Sequence, residues 1–330
     1  MSWLTLGLLV ALTAVLIAEF INGWTDAPNA IATVVSTGVM APRTAIIMAV
    51  VLNTVGAMAG TAVAATVGKG IVSSSALSLP TITAAMIAII VWGSFAAKVG
   101  LPISKSHSLL AGLAGAGYAG GGLAALQWSG WTKVFIGMAC AVPFGFVATW
   151  LLARAIIHFA GDMRPSRAKR LFDRAQIASA GFMAFNHGLN DGQKFMGVFA
   201  LTLLLGGVTT QFEIPWWVII ICALTMGAGT SFGGWRIIET VGSKMTRIVS
   251  WQGFAAEAAA SSTIFVASLF GIPLSTTHTI TSCIVGAGAA RRISDVRWGV
   301  LQRIFMAWVV TFPVCACIAY VAARIANWLF

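Results

Sequence analysis

The sequence predicts an all-α polytopic membrane protein made of two inverted-topology repeats with discontinuous or re-entrant helices. Three observations carry that expectation. Of 330 residues, 58% are hydrophobic and 9% charged, where a soluble domain carries about 25% charged residues. Two pairs of polar motifs recur in the same order in both halves, at nearly constant spacing. Equivalent hydrophilic connections in the two halves differ in basic charge, as they do when two copies face opposite sides of a membrane.

Apolar stretches near the spanning length of about 20 residues recur along the chain, and the mean hydropathy is +0.91. A surface this apolar excludes a water-soluble core of buried helices. Continuous runs, without short alternating segments, exclude a transmembrane β-barrel. The expected elements of the first half are 3–20, 28–40, 43–67, 81–99, 102–120 and 131–158. Those of the second are 172–186, 192–207, 214–235, 251–270, 273–290 and 299–328. Several are too short to cross alone, so those beside the polar motifs are expected to be broken or re-entrant. The division is a first repeat at 1–158, a basic linker at 159–171 and a second repeat at 172–330.

The first span has no basic segment before it and no small-residue cleavage pattern after it, so it reads as a retained helix. The 35 glycines let helices approach closely in lipid. The five cysteines, all in apolar runs, have no metal-ligand spacing. Tryptophans 216, 217, 298, 308 and 328 read as interface anchors.

The net charge of +11 does not indicate nucleic acid, because the basic residues lie in short connections where they set topology. The linker carries Arg164, Arg167, Lys169, Arg170 and Arg174, and a late connection carries Arg291, Arg292, Arg297 and Arg303. Both are expected in the cytoplasm, and both termini outside. The first-half counterpart of the late connection holds only Lys133. Arg236, Lys244 and Arg247 fit this scheme poorly and are assigned to an interfacial helix.

The repeat itself is visible in the motifs. Asn22-Gly23-Trp24-Thr25-Asp26-Ala27-Pro28-Asn29-Ala30 matches Asn186-His187-Gly188-Leu189-Asn190-Asp191-Gly192-Gln193-Lys194, with an offset of 165 (191 − 26). Gly100-Leu101-Pro102-Ile103-Ser104-Lys105-Ser106-His107 matches Gly271-Ile272-Pro273-Leu274-Ser275-Thr276-Thr277-His278 at 171 (278 − 107).

Asp26 and Asp191 interrupt apolar runs, and a carboxylate at membrane depth is costly unless paired or solvated. They are expected to form a cation or proton site. A helix cap is the alternative for Asp26, two residues before Pro28. Pro102 and Pro273 should break their helices, with new helices starting at Ser104 and Ser106, then Ser275, Thr276 and Thr277. Helix N-termini with added hydroxyl donors form an anion site, or they are simply capped. Four such breaks converging at the bilayer midplane would hold a small oxyanion together with a cation.

Other polar residues are less determined. His107 and His278 either meet substrate, relay a proton or hold a carbonyl. His187, just before Asp191, is a candidate for proton coupling. Lys194 either neutralises an anion or snorkels to an interface. Lys105 is expected to point away from the site. Glu19 and Glu257 are intramembrane acids and candidates for coupling roles.

The segments Gly23 to Ala30 and Gly188 to Lys194, with the two Pro-x-Ser-x-x-His segments, resemble the duplicated signatures of the inorganic phosphate transporter (PiT) family. The resemblance covers essentially the whole chain and is nearest in wording to bacterial low-affinity members. It implies an inverted-repeat helical fold, often a homodimer, that lies in the bacterial inner membrane and carries inorganic phosphate by cation symport and alternating access, without a cofactor. It implies that Asp26, Asn29, Asn190 and Asp191 help bind cation and substrate. Ser104, Ser106, Ser275, Thr276 and Thr277 would help bind phosphate, and Glu257 matches a family acid. The bacterial low-affinity branch is associated with proton coupling and metal–phosphate complexes, other branches with sodium. A proton is preferred here to sodium. If sodium or a metal–phosphate is carried, Asp26 and Asp191 would hold the metal. Thr25 and Lys194 depart from the commoner pattern, which weakens transfer of a two-sodium site. The alternatives are a permease for sulfate or another oxyanion, and an intramembrane lipid-phosphate phosphatase. The latter chemistry usually needs an arginine against the phosphate, and neither motif pair contains one.

Overall fold

The computed structural model describes residues 3–329. Among the described residues the regular structure is helical, with two isolated antiparallel bridges, Val72 with Leu126 and Thr246 with Val296. In chain order the helices are α1 (Trp3–Ser36), α2 (Pro42–Met58), α3 (Ala62–Gly70), α4 (Leu79–Val99), α5 (Lys105–Gly121) and α6 (Trp128–Ala160). They continue with α7 (Pro165–His187), α8 (Gln193–Leu205), α9 (Trp216–Thr230), α10 (Trp235–Glu239), α11 (Ser250–Leu269), α12 (Thr276–Arg291) and α13 (Trp298–Leu329).

The aspartate motifs do not break the chain as expected. α1 runs uninterrupted from 3 to 36 with Pro28 inside it, where separate elements at 3–20 and 28–40 were expected. Asp26 therefore lies within a helix and does not cap one. A proline in a helix interior removes one hydrogen bond and frees the carbonyl four residues earlier. That carbonyl belongs to Trp24, and the backbone of Gly234 packs against it. A Cβ on Gly234 would lie 2.8 Å from the Trp24 oxygen. In the second half α7 passes into α8 through a π-type turn at Gly188–Gly192, a distortion frequent at functional sites.

The sharp bends fall where single elements were expected. α2 and α3 meet at 67°, and α9 and the α10 segment at 65°. Gly233 and Gly234 adopt φ of +82° and +53° at the second bend, a region that glycine enters without a Cβ penalty. The expected breaks at the serine motifs are present. α4 ends at left-handed Gly100 and α11 is followed by left-handed Gly271, and each proline stretch leads to a helix capped by serine, Ser104 for α5 and Ser275 for α12.

The same order of elements recurs in the two halves: a bent helix pair, a helix, an extended proline segment, a second helix, a 3₁₀ turn and a long final helix. The halves interlock. α5 packs on α13, α12 on α6, α2 on α7 and α1 on α9. Two large apolar cores result among the described residues, with smaller clusters beside them. One takes Ala14, Val15 and Ala18 from α1, the other Ala30, Ile31 and Val34. Between them α1 presents Glu19, Asn22, Asp26 and Asn29, all buried.

The periphery is apolar: Val51, Val55, Phe95, Phe144, Leu151 and Val309 are exposed. Exposed apolar surface on this scale needs lipid. Helices α1, α4, α6 and α13 are long and apolar enough to span a bilayer, and each bent pair adds one if counted as a single span, for up to six. This is a multi-pass membrane protein. Trp216, Trp217, Trp298 and Trp328 are exposed, as interface anchors must be. Trp308 is not an anchor. It is buried, its indole donates to the Pro102 carbonyl at 2.9 Å, and its ring lies on His278. Arg236 lies on short α10 and donates to the Lys98 carbonyl at the end of α4. The cysteines are free thiols.

Candidate functional site

The centre of the molecule is polar and closed. Asp26 and Asp191, each interrupting an apolar helix, are both buried. An oxygen of each, together with a ring nitrogen of His187, lies within 4.8 Å of the others. The convergence of the two aspartate motifs is therefore a fact of the fold.

The serine motifs reach the same place. The Thr277 hydroxyl lies 3.3 Å from both the Asp26 carboxylate and the Ile103 carbonyl. The Ser106 hydroxyl donates to the Leu274 carbonyl at 2.9 Å. Ser106 and Thr277 occupy matching positions in the two motifs, as do Ile103 and Leu274, so each motif bonds the other reciprocally. Thr276 donates to Asp191 at 3.0 Å. Asn29 donates from its amide toward Thr277 at 3.0 Å and toward Thr276 and Asp26 at 3.3 Å.

Both lysines face inward. Lys194 is buried and holds Asp191 at 2.5 Å, Ser106 at 2.5 Å and the Leu274 carbonyl at 2.7 Å. It does not snorkel, because its ammonium has found three acceptors in the interior. Lys105 was expected to point away. Instead its Nζ lies 3.9 Å from Asp26, with both side chains buried. The first turn of α5 is enclosed on all sides, so the stem has no water to reach. A lysine between apolar runs at the start of a buried helix was the signal, and the spacing alone did not give its direction.

His187 bridges the site to α2. Its Nδ1 lies 3.2 Å from Asn53 Oδ1. The Asn53 amide in turn donates to Thr230, which fixes the amide orientation and makes Oδ1 the acceptor. Nε2 then faces Asp191 at 3.4 Å.

Some expected residues serve the scaffold in this conformation. Ser104 and Ser275 accept from the main-chain N–H groups of His107 and His278, each at 3.2 Å; they are N-caps. Asn190 turns from the aspartates and donates to Ser268 at 2.8 Å and to the Ile272 carbonyl at 3.1 Å, fixing the proline stretch. His107 and His278 pack edge to face with centroids 4.3 Å apart, and neither ring nitrogen of His107 holds a carbonyl.

Glu257 belongs to a separate buried group. It accepts from Thr33 of α1 and from Ser179 of α7, the latter at 2.5 Å. Thr33 and Ser179 carried no signal as polar partners in the sequence. One turn beyond, Thr37 donates to Gln176 at 2.9 Å. Past Thr37 opens a cavity of about 570 Å³ lined by Ser36, Phe172, Lys169, Asp173 and Trp251. A polar stripe of α1 (Asp26, Asn29, Thr33), continued by Thr37 just past its end, thus runs from the centre to this cavity. Toward the other end of α1, Glu19 accepts from Asn22 at 3.1 Å through one oxygen; the other oxygen has no hydrogen-bond partner among the described residues. Unpartnered buried polar atoms are costly and call for a function or a ligand.

Chemically, the centre offers two carboxylates, two ammonium groups, an imidazole, four hydroxyls (Thr25 on Asp26 at 3.1 Å, with Ser106, Thr276 and Thr277) and an amide in a space closed to water. Two helix N-termini, those of α5 and α12, begin there. Such a set can take a tetrahedral anion and a cation together.

Known proteins place the chain in a family. A model of the phosphate transporter family matches residues 22–319. The chain is 41% identical over 315 residues to a protein of Rhizobium meliloti named “probable low-affinity inorganic phosphate transporter”, covering 94% of each chain. It is 39% identical over 330 residues to a Bacillus subtilis protein of the same name, covering 99% of each. A solved structure of a sodium-dependent phosphate transporter superposes with a TM-score of 0.88 at 23% identity, over 98% of this chain and 100% of that one; that likeness concerns the fold. With both motif pairs inside the matched span, the chain belongs to the phosphate transporter family and is a transporter, not an enzyme.

Proposed function

We propose that this protein imports inorganic phosphate across the bacterial inner membrane by cation symport, with a proton preferred to sodium. Two inverted repeats, 1–158 and 172–330, joined by the basic segment at 159–171, expose the shared centre to each side in turn. Both termini lie outside, the cavity beside Lys169 is the cytoplasmic mouth, and the working unit is a homodimer.

One observation carries this reading: two carboxylates, two ammonium groups and two capped helix N-termini meet in one buried space. Formal charges there balance, Asp26 and Asp191 against Lys105 and Lys194. A closed, balanced centre of low dielectric accepts phosphate only with compensating positive charge. A proton supplies it most simply. His187, with Nε2 facing Asp191, takes and returns that proton. A divalent metal bound to phosphate is the other supply. Asp26, His187 and Asp191 are spaced to hold it, and the adjacent lysines admit it only with its anion.

Phosphate lies between the starts of α5 and α12. Ser106, Thr276, Thr277 and Asn29 turn their donors to it. Ser104, Ser275 and Asn190 act behind them by fixing the two helix starts and the proline stretch. Glu257 passes the coupled charge between the centre and the cavity along Thr33 and Thr37. Sulfate shares the tetrahedral shape, and a sulfate permease is the alternative reading. Phosphate is favoured because its remaining hydroxyls can donate to the carboxylates, while sulfate, fully ionised, cannot.

The test is uptake of radiolabelled phosphate by the purified protein in liposomes under imposed proton or sodium gradients, with and without Mg²⁺. Accumulation driven by the proton gradient in sodium-free buffer is expected. Accumulation driven only by sodium would overturn the coupling ion. Accumulation of sulfate in place of phosphate would overturn the substrate.

A further inference from the structure

The two sides of the polar centre are built from matching parts but filled differently. On one side a carboxylate oxygen of Asp191, the Ser106 hydroxyl and the Leu274 carbonyl converge. On the other, the atoms at matching positions are the Asp26 carboxylate, the Thr277 hydroxyl and the Ile103 carbonyl, joined through Thr277 by two contacts of 3.3 Å. Carboxylate, hydroxyl and main-chain carbonyl oxygens are the ligands of hard cations. At the first point stands Lys194 Nζ, with one contact to each oxygen, at 2.5, 2.5 and 2.7 Å. An ammonium has three N–H donors, and all three are used.

At the second point the matching helix position is Asn29, a neutral amide. The positive charge comes instead from Lys105, at 3.9 Å from Asp26 and with no hydrogen-bond partner among the described residues. The position matching Lys105 in the other half is Thr276, which bonds Asp191. Each aspartate therefore has one lysine, delivered from a different element, and the position equivalent to each lysine in the other half holds an amide (Asn29) or a hydroxyl (Thr276).

We propose that Lys194 is a tethered cation standing in for an inorganic monovalent cation at its oxygen site, and that Lys105, beside Asp26, supplies the same charge to the matching site, so that the centre loads phosphate without sodium. The proposal rests on the reading of this centre as the phosphate site. A buried carboxylate requires one compensating charge, and a covalently held ammonium supplies it in every state of the cycle. It is never released, so it contributes nothing to coupling. The positive charge that travels with phosphate must then arrive with it. The two lysines differ in hold: Lys194 is locked by three acceptors, whereas Lys105 has donors free for an arriving anion.

The experiment compares the wild type with Lys194→Asn, which reproduces Asn29, and Lys105→Thr, which reproduces Thr276. Each purified protein is assayed for phosphate uptake in liposomes under a proton gradient and for thermal unfolding, in NaCl and in choline chloride. The wild type is expected to behave alike in both salts. Lys194→Asn is expected to lose uptake by roughly tenfold or more in choline, to recover part of it in NaCl and to melt higher in NaCl. Lys105→Thr should show the same pattern at the Asp26 side. If both variants melt at the same temperature in the two salts, the tethered-cation assignment is wrong. The assignment also fails if Lys194→Asn keeps full uptake in choline. A sodium requirement in the wild type would overturn sodium-free loading of the centre, and with it the proton reading of coupling; the salt shift of each variant relative to the wild type judges the role of its own lysine separately.

Discussion

Thr277 of α12 and Asp26 of α1 lie 251 positions apart, yet the threonine hydroxyl stands 3.3 Å from the carboxylate. That contact joins a serine motif of one half to the aspartate motif of the other. On the matching side Lys194 makes the connection, bridging Asp191 to Ser106. The centre is thus assembled across the two halves, and its disruption should read out as lost transport before lost folding.

Asp26→Asn and Asp191→Asn are each expected to abolish phosphate uptake while the protein still inserts. Their stabilities should differ. Asp191→Asn strips the locked Lys194 of its counter-charge, and breaking a buried pair costs about 3–5 kcal/mol. Asp26→Asn removes a looser partner of Lys105, at 3.9 Å, and should cost less. Uptake in liposomes and thermal unfolding in detergent check both points; normal uptake by both variants would remove the aspartates from the site.

Ser104 and Ser106 are two residues apart and should separate cleanly. Ser104 caps α5 through the His107 N–H. Glycine at an N-cap costs only a few tenths of a kcal/mol and alanine about 1 kcal/mol. Ser104→Gly should therefore retain most uptake, and Ser104→Ala should mainly lower the melting temperature. Ser106→Ala should lose uptake by about tenfold with a smaller stability change, because Lys194 keeps two other acceptors. The measurement is initial uptake rate set beside melting temperature for the three variants.

Glu257 is fastened to α1 and α7 through Thr33 and Ser179, away from the aspartates. A residue that passes coupled charge, and does not hold phosphate, should be dispensable for exchange at equal concentrations. Glu257→Gln is expected to cut gradient-driven accumulation by roughly tenfold and to leave phosphate–phosphate exchange measurable. Loss of both activities together would place Glu257 in substrate binding.

Glycine sets the crossing of α2 with the α7–α8 turn and that of α1 with α9. A Cβ on Gly188 would lie 2.0 Å from the Asn53 carbonyl of α2, and one on Gly23 would lie 2.2 Å from the Met226 carbonyl of α9. The obstacle is backbone, so no side chain can swing aside. Overpacking costs typically about 1–3 kcal/mol or more, and Gly188→Ala would also shift His187 and Asp191. The expected result is low yield of folded protein by size-exclusion chromatography, with Gly38→Ala, whose Cβ would meet no neighbour within 4 Å, giving far more monodisperse protein despite its positive φ.

Much of the site was legible because its signals are local. Asp26 and Asp191 stand out as acids in apolar runs, and two matching copies point to one shared centre. The serine motifs announce helix starts through glycine, proline and hydroxyls within a few residues. Continuity through Pro28 was not legible, since it depends on Gly234 docking against the Trp24 carbonyl. The bend angles were hidden for the same reason: both are fixed by helices packed from the other half. Lys105 was misread because its direction is set by enclosure, and Trp308 because residue type alone does not tell a headgroup contact from a ring contact with His278.

By itself the sequence determined membrane residence, the twofold recurrence of motifs and the residue types of the polar centre. These follow from hydropathy, spacing and helix chemistry, which act over a few turns. Only the tertiary structure decided which of those residues meet. It turned Asn190 outward to the proline stretch, set Ser104 and Ser275 as caps, gave each aspartate its own lysine and moved Glu257 into a separate group. The physical reason is that a closed interior must satisfy every buried charge with partners in space, and those partners are brought by helices far away in sequence.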